Sequence, residues 1–251
     1  FYIVADDETG RVFVDALTER ARAGVKVRLL MDRLGTMRGP AAALRRLRAA
    51  GGEVRFYSPL LQVPGSGHLN LRNHRKMVIA DDARVFSGGM NIGAHYLGPE
   101  AREDGWADLA YLLEGRAVQS FGDVFRSDWE VASGEQLEPA PPVPAHTGGN
   151  ATVQLVPSGP DITEDPLHDS LIRAIHLAEE RIWLVTPYFV PDLTLMASLQ
   201  MAILKGVQVQ IVIPRKSNLR MVNWASLHAL RWLVGEGAEL YLSPPPFDHS
   251  K

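Results

Sequence analysis

The sequence predicts an α/β fold, and three observations support this prediction. Short apolar strands alternate with amphipathic helices, the second half of the chain repeats the plan of the first, and a proline- and glycine-rich segment separates the halves. The composition, 46% hydrophobic and 22% charged over 251 residues, is that of an ordinary globular protein. Such alternation favours helices packed on a largely buried, largely parallel sheet.

The first half contains two helical stretches, each followed by glycine and then by a run of β-forming residues. Apolar residues recur at helical spacing in both stretches, with charged residues between them. The predicted elements are a strand over 1–5, a helix over 10–23, a strand over 25–31, a helix over 40–50 and a strand over 53–57.

The second half repeats this order. Residues 23–30 (AGVKVRLL) align with 205–212 (KGVQVQIV), and 51–56 (GGEVRF) align with 237–242 (GAELYL). Similar segments at a nearly constant separation indicate an internal duplication. The alternative is that any two strand–helix–strand units look alike at a helix–glycine–strand junction.

Residues 133–150 carry four prolines and three glycines without periodicity, and are predicted to be a linker. The predicted organisation is therefore a first half over 1–132, the linker, and a second half over 151–251. Residues 182–204 are apolar enough for a membrane span. Their two prolines instead favour a strand over 181–186, a turn, and a helix over 193–204.

The bulk composition narrows the function classes. A formal net charge of -3 argues against a general nucleic-acid binder, which is usually basic. The sequence has no cysteine, so disulfides, thiolate chemistry and cysteine metal sites are excluded. The chain begins at Phe1 within strand-like sequence, so we expect the natural N-terminus, with any signal or anchor, to precede it.

The strongest chemical signal is a pair of His-x-Lys triplets, His74–Lys76 and His249–Lys251, at corresponding places in the repeat. A single triplet is a weak signal. The first, however, continues to Asp81 and then to Gly88, Gly89 and Asn91, in the pattern H-x-K-x4-D-x6-G-G-x-N. Chance rarely produces this joint pattern together with a second triplet in the repeat.

These residue types suit a phosphate diester. In a strand, alternate side chains share a face, so His74 and Lys76 are expected to point the same way. Imidazole serves as nucleophile or proton donor near neutrality, lysine neutralises phosphate oxygens, and an asparagine amide donates to the same anion. Two histidines can attack phosphorus and protonate the leaving oxygen without a cofactor, and the spacing matches no metal motif.

Other residues carry alternatives. Asp81 and Asp82 could form only the turn of a hairpin between Val78 and Ser87. His68 and His95 flank the first motif and are candidates to line a pocket. Met221, Trp224 and Tyr188 are apolar pocket candidates for which core packing is the alternative. The remaining histidines are expected to be packed or solvated: His146, His168, His176 and His228.

These motifs resemble the phospholipase D superfamily, whose members carry two H-x-K-x4-D motifs that meet at one active site. The likeness is closest to bacterial cardiolipin synthases of the two-motif type. Three stretches carry it, at 74–91, 156–161 (VPSGPD) and 186–192 (TPYFVPD). The resemblance implies a duplicated α-β-α sandwich, with two pseudo-symmetric halves and mixed, largely parallel sheets.

The resemblance also implies roles. His74 is the expected nucleophile, forming a phosphatidyl-histidine, and His249 the expected general acid, then base. Asp81 is the motif aspartate, with a mainly structural part. The remaining expectations are a phosphate site at Lys76, Asn91 and Lys251, and a histidine-orienting carboxylate at Asp108. The second motif is expected to continue past Lys251 to an aspartate, so the chain is expected to end inside it and to have little activity alone.

The implied reaction forms cardiolipin from two phosphatidylglycerol molecules and releases glycerol. Hydrolysis to phosphatidic acid, nuclease activity and a non-catalytic lipid-binding role are the alternatives. The expected partners are an anionic phospholipid and a membrane surface, without nucleic acid, and the expected location is the bacterial cell membrane. The sequence determines neither the acceptor nor the oligomeric state.

Overall fold

The computed structural model forms two compact units, each with its own core. The structure describes residues 1–57, 72–97, 105–141, 149–159 and 165–251. One unit consists of the described residues of Phe1–Ala101 and Ala110–Thr163, and the other of those of Arg102–Leu109 and Glu164–Lys251. Arg102–Leu109 thus belongs to the second unit, although it lies within the predicted first half over 1–132.

The first unit begins with a parallel strand pair. It contains α1 (Glu8–Arg22), β1 (Arg28–Asp32), α2 (Ala41–Ala49) and β2 (Glu53–Tyr57). The strands pair in parallel with α2 as their crossover, and apolar residues from both helices and both strands form a shared core. The carboxyl ends of β1 and β2 therefore lie at one edge.

An antiparallel sheet follows in the same unit. It is formed by β3 (Met77–Ala80), β4 (Arg84–Gly88) and β6 (Ala110–Glu114), with β4 in the centre. The helix α3 (Ala117–Ser133) packs against this sheet through Val118 and Phe121, which contact Val85 in a small core.

The second unit is built on a three-stranded parallel sheet. Its elements are α4 (Pro166–Leu177), β7 (Arg181–Val185), α5 (Leu193–Leu204), β8 (Gln208–Pro214), α6 (Arg220–Glu236) and β9 (Glu239–Ser243). Leu199, Ile211 and Leu233 are fully buried at its centre. A second, two-stranded parallel ladder joins β10 (Phe247–Asp248) to β5 (Trp106–Ala107).

The duplication extends to strand register. Arg28 pairs with Glu53 in the first unit, and the residues that align with them, Gln210 and Glu239, pair in the second. Both pairs also interact through their side chains, by an Arg28–Glu53 salt bridge and by a 3.0 Å hydrogen bond from Gln210 to Glu239. Coincident register is not expected of two unrelated strand–helix–strand units, so it supports a true repeat.

Most predicted elements form, with parallel and antiparallel sheets as expected of a mixed α/β fold. The predicted strand over 1–5 is an exception, because it forms a single bridge, between Val4 and Ile92. Residues 182–204 form a strand, a turn and a helix. Within the described ranges, no helix combines the length and apolarity required to cross a bilayer.

Candidate active site

The second motif places His249 beside a buried carboxylate. The Nδ1 atom of His249 lies 2.7 Å from Oδ2 of Asp108, and both side chains are almost completely buried. Because β10 pairs with β5, the residues that follow these strands are brought together; the N–H of His249 donates to the carbonyl of Ala107 at 2.7 Å. A carboxylate at Nδ1 fixes the proton on that nitrogen and leaves Nε2 for chemistry.

Aromatic rings surround the imidazole of His249. The ring centroids of Trp106, Tyr188 and Phe247 lie 5.3, 6.1 and 6.1 Å from that of His249. Burial raises the pKa of Tyr188, whose hydroxyl donates to Oδ1 of Asn218 at 2.9 Å. The phenol of Tyr188 is therefore uncharged near neutral pH. Together the three rings shield the His249–Asp108 pair from water.

Lys251 lies against the same imidazole. Its Nζ donates to the carbonyl oxygen of His249 at 2.9 Å and lies 3.0 Å from Nδ1 and 3.2 Å from Nε2 of the ring. Burial lowers the pKa of Lys251, and the carboxylates of Asp108 and Asp248 oppose that shift. An ammonium is thus held next to the reactive nitrogen, where a phosphate oxygen could bind it.

The first motif holds its lysine in the same way and its histidine differently. The Nζ of the buried Lys76 donates to the carbonyl oxygen of His74 at 2.5 Å, as Lys251 does to His249. The imidazole of His74 is exposed and stacks on the ring of Tyr2, with centroids 4.0 Å apart and planes 17° apart. The ring of His74 is therefore oriented by a face contact.

The residues on either side of His74 are anchored to one buried carboxylate. The Nδ2 of Asn73 donates to Oδ2 of Asp128 at 2.7 Å, and the guanidinium of Arg75 forms an ion pair with Oδ1 of Asp128. The same guanidinium donates to the carbonyl of Ser158 at 3.1 Å, and the N–H of Asn73 donates to Asp32 at 3.3 Å. His74 thus lies between two fixed neighbours, and we call Asn73, Arg75 and Asp128 the flanking clamp.

The predicted strand over His74 and Lys76 is wrong in this segment, because β3 begins only at Met77. The side chain of Asn73 accepts the N–H of Arg75 at 3.0 Å, which is a local turn that competes with strand pairing. As a result, His74 is exposed whereas Lys76 is buried.

Asn91 and Asp81 lie in the same unit as His74. Asn91 is buried, and its Oδ1 accepts the N–H of Ile3 at 3.0 Å, so a phosphate contact would use its amide N–H groups. Asp81 and Asp82 form the hairpin turn between β3 and β4, with φ angles of 54° and 50°. The Asp82 carboxylate also pairs with Arg126 at 3.1 Å. Asp81 is exposed at this turn.

The remaining candidates divide into three groups. His68 and His146 lie outside the described residues. His95 and His228 are exposed, whereas His168 and His176 contact Asp192 and Ser198. Met221 and Trp224 are strongly exposed at the start of α6, so the core-packing alternative is wrong for both.

Two contributors, Asp128 and Tyr2, were missed from the sequence. Asp128 could have been found, because it falls seven residues after Phe121, on the buried face of α3. A carboxylate on an apolar helix face requires a partner. Tyr2 carries no comparable signal, because its contact with His74 spans most of the first half of the chain.

A family model described as the cardiolipin synthase, phospholipase D-like domain matches residues 1–129 and 171–251, which is most of the chain. This chain belongs to that family. The assignment confirms the resemblance carried by the two His-x-Lys motifs.

Named relatives and a solved structure agree with the family. The chain is 37% identical over 256 residues to the major cardiolipin synthase ClsA and 36% identical over 255 residues to the probable cardiolipin synthase YwiE, both of Bacillus subtilis (strain 168). Both alignments cover all of this chain, together with 53% of ClsA and 50% of YwiE. The chain therefore spans about half the length of these relatives. The phosphatidylserine synthase of Haemophilus influenzae Rd KW20 matches 99% of this chain and 68% of its own, with a TM-score of 0.67 and 15% identity. That likeness confirms the fold.

Proposed function

We propose that this chain carries the phosphate-handling residues of a phosphatidyltransferase that forms cardiolipin from two molecules of phosphatidylglycerol. The two motifs act on one phosphodiester, with His74 as nucleophile and His249 as proton carrier. The family and the names of the relatives support the substrate class. The site residues support the chemistry.

In the first step, an imidazole nitrogen of His74 attacks the phosphorus of phosphatidylglycerol. The bond from phosphorus to the head-group glycerol oxygen breaks, and Nε2–H of His249 gives its proton to that oxygen. Glycerol leaves, and a phosphatidyl-histidine remains. Lys76, Lys251 and the amide of Asn91 neutralise the charge on the phosphoryl oxygens.

In the second step, Nε2 of His249 is unprotonated and accepts the proton of a hydroxyl group on the second phosphatidylglycerol. The oxygen of that hydroxyl attacks phosphorus, the bond to His74 breaks, and cardiolipin forms. Water in place of the second lipid would give phosphatidic acid. The aromatic wall formed by Trp106, Tyr188 and Phe247 favours the lipid, because it excludes water from His249.

The single observation that carries the chemistry is the 2.7 Å contact between Nδ1 of His249 and Asp108. A carboxylate that fixes one ring nitrogen of a buried histidine is the arrangement required for directed proton transfer through the other. A histidine that served only packing would not require a buried carboxylate partner, which is costly to bury.

The test uses the natural full-length protein with phosphatidylglycerol in mixed micelles, and lipid mass spectrometry of the products. His74→Ala is compared with His228→Ala, which changes an exposed histidine on α6. We expect cardiolipin and free glycerol from the unchanged protein and from His228→Ala, and neither from His74→Ala.

Each other outcome has a defined meaning. Phosphatidic acid as the main product would show the same chemistry with water as acceptor. Cleavage of nucleic acid without any lipid product would identify a phosphodiesterase of another substrate class. Unchanged cardiolipin formation by His74→Ala would exclude His74 as nucleophile.

A further inference from the structure

One edge of the second unit exposes a group of apolar side chains outside the active-site residues. Leu193, Met221 and Trp224 are 89%, 86% and 84% exposed, and Val190 and Leu219 are also exposed. These five residues define the edge patch. Further along α6, Leu230 and Leu233 are buried in the core, so the first turns of this helix expose apolar residues beyond it. Large exposed apolar side chains gathered at one edge of a sheet indicate a binding surface.

The edge patch lies at the end of the sheet that carries the second motif. The strands β7 and β8 are parallel neighbours, α5 follows β7, and α6 follows β8, so both helices begin at the carboxyl edge of the sheet. The hydrogen bond between Tyr188 and Asn218 joins the two connecting loops at this edge. Since the ring of Tyr188 also lies against His249, the edge patch and the second motif share one side of the unit.

The charge of this region differs from that of the whole chain. Residues 193–235 contain no aspartate or glutamate, although the chain has a net charge of -3. The same stretch carries five cations: Lys205, Arg215, Lys216, Arg220 and Arg231. Arg215 and Lys216 are exposed in the loop that leads directly to Met221 and Trp224. An exposed tryptophan with aliphatic neighbours and flanking basic residues is suited to the interface of an anionic bilayer.

We propose that the edge patch docks the second unit onto an anionic lipid surface. Trp224 and Met221 enter the head-group region, and Arg215 and Lys216 contact lipid phosphates. The inference rests on the proposed function, because a lipid substrate must reach His249 from a bilayer. The charge selects this occupant, since Arg215 and Lys216 fit a layer of anionic head groups, and Asp192, the one acidic residue within 190–224, caps α5 through the N–H of Leu195.

The first test measures the position of Trp224 directly. The natural full-length protein is reconstituted into vesicles of phosphatidylglycerol and phosphatidylcholine with brominated acyl chains, which quench tryptophan fluorescence on contact. Trp224→Phe is compared with Trp183→Phe, because Trp183 is 67% exposed and lies outside the edge patch. We expect Trp224→Phe to remove most of the lipid-quenched signal of the second unit and Trp183→Phe to leave it unchanged.

The second test addresses the charge. Each basic residue next to an anionic bilayer changes the docking equilibrium by about fivefold. Arg215→Gln with Lys216→Gln should therefore weaken quenching of Trp224 strongly in vesicles that contain phosphatidylglycerol, and little in pure phosphatidylcholine. Arg22→Gln with Lys26→Gln changes an exposed basic pair of the first unit and should have no effect.

A third measurement separates this proposal from the proposed function. Met221→Ser with Trp224→Ser should retain turnover of a water-soluble short-chain phosphatidylglycerol and lose turnover in vesicles. Absence of turnover in the unchanged protein would contradict the proposed function and leave the quenching result standing. Trp224 unquenched by brominated lipid would overturn the docking proposal. Protection of Trp224 from acrylamide without lipid would also overturn it, because a protein segment or a second copy would then cover the edge patch.

Discussion

The two His-x-Lys motifs share one contact and differ in the burial and surroundings of their histidines. In both, the lysine ammonium donates to the carbonyl oxygen of the histidine two residues earlier. His249 is buried, with Asp108 on its ring and aromatic groups around it. His74 is exposed, its ring stacks on Tyr2, and its two neighbours, Asn73 and Arg75, are held by the Asp128 carboxylate.

The difference separates two ways to position a catalytic imidazole. A carboxylate on the ring selects the tautomer and stabilises the imidazolium form, which suits a group that carries protons. Flanking residues held by a buried carboxylate fix the backbone on either side of an exposed imidazole, which suits a nucleophile. A duplicated sequence has therefore produced two unequal half-sites, and the inequality supports the proposed assignment of His74 and His249.

The largest expected effect distinguishes the two histidines. His74→Ala should abolish transfer from every substrate, because the covalent intermediate cannot form. His249→Ala should lower turnover of phosphatidylglycerol by about 10²–10⁴-fold, the usual contribution of general acid–base catalysis. With a p-nitrophenyl phosphodiester, whose leaving group requires no proton, His249→Ala should recover the release of p-nitrophenol in the first turnover. If His74→Ala, and not His249→Ala, released p-nitrophenol in the first turnover, His249 would be the nucleophile and His74 the general acid.

The next effect tests the carboxylate on the ring. Asp108→Asn should lower cardiolipin formation by on the order of 10²-fold, because an amide cannot stabilise the imidazolium form of His249. The loss should shrink with the p-nitrophenyl substrate, as for His249→Ala. Asp248→Asn is the matched control, since the Asp248 carboxylate accepts the N–H of Ser250 at 3.0 Å. Equal losses from both variants would assign Asp108 a structural role.

The flanking clamp should affect stability more than chemistry. Asp128→Asn leaves the guanidinium of Arg75 partly buried without its ion pair, which should lower the free energy of unfolding by about 3 kcal/mol. Adding Arg75→Met to Asp128→Asn should restore part of that loss, because the double variant has no uncompensated buried charge. Denaturant unfolding of the natural full-length protein, of Asp128→Asn, of Arg75→Met and of the double variant measures the coupling. Strictly additive losses would show that Asp128 and Arg75 do not stabilise each other.

The sequence predicts local structure better than long-range contacts. The strand Glu53–Tyr57 and the helix Leu193–Leu204 match their predicted bounds, because glycines precede the strand and Asp192 caps the helix through the N–H of Leu195. Both His-x-Lys motifs are visible because each is contiguous. The contacts of Asp128 with Asn73 and of Tyr2 with His74 join distant segments, and no local spacing encodes them.

The smallest expected effect concerns the ring beneath His74. Stacked aromatic pairs contribute about 0.5–1.5 kcal/mol beyond their buried area, so Tyr2→Ala should lower kcat/KM by roughly threefold to tenfold. Tyr2→Phe keeps the ring face and should retain nearly all activity. Because the p-nitrophenyl substrate still requires attack by His74, the loss in Tyr2→Ala should persist with it, unlike the losses in Asp108→Asn and His249→Ala. A loss that disappears with this substrate would place Tyr2 in proton transfer and remove the distinction between the two half-sites.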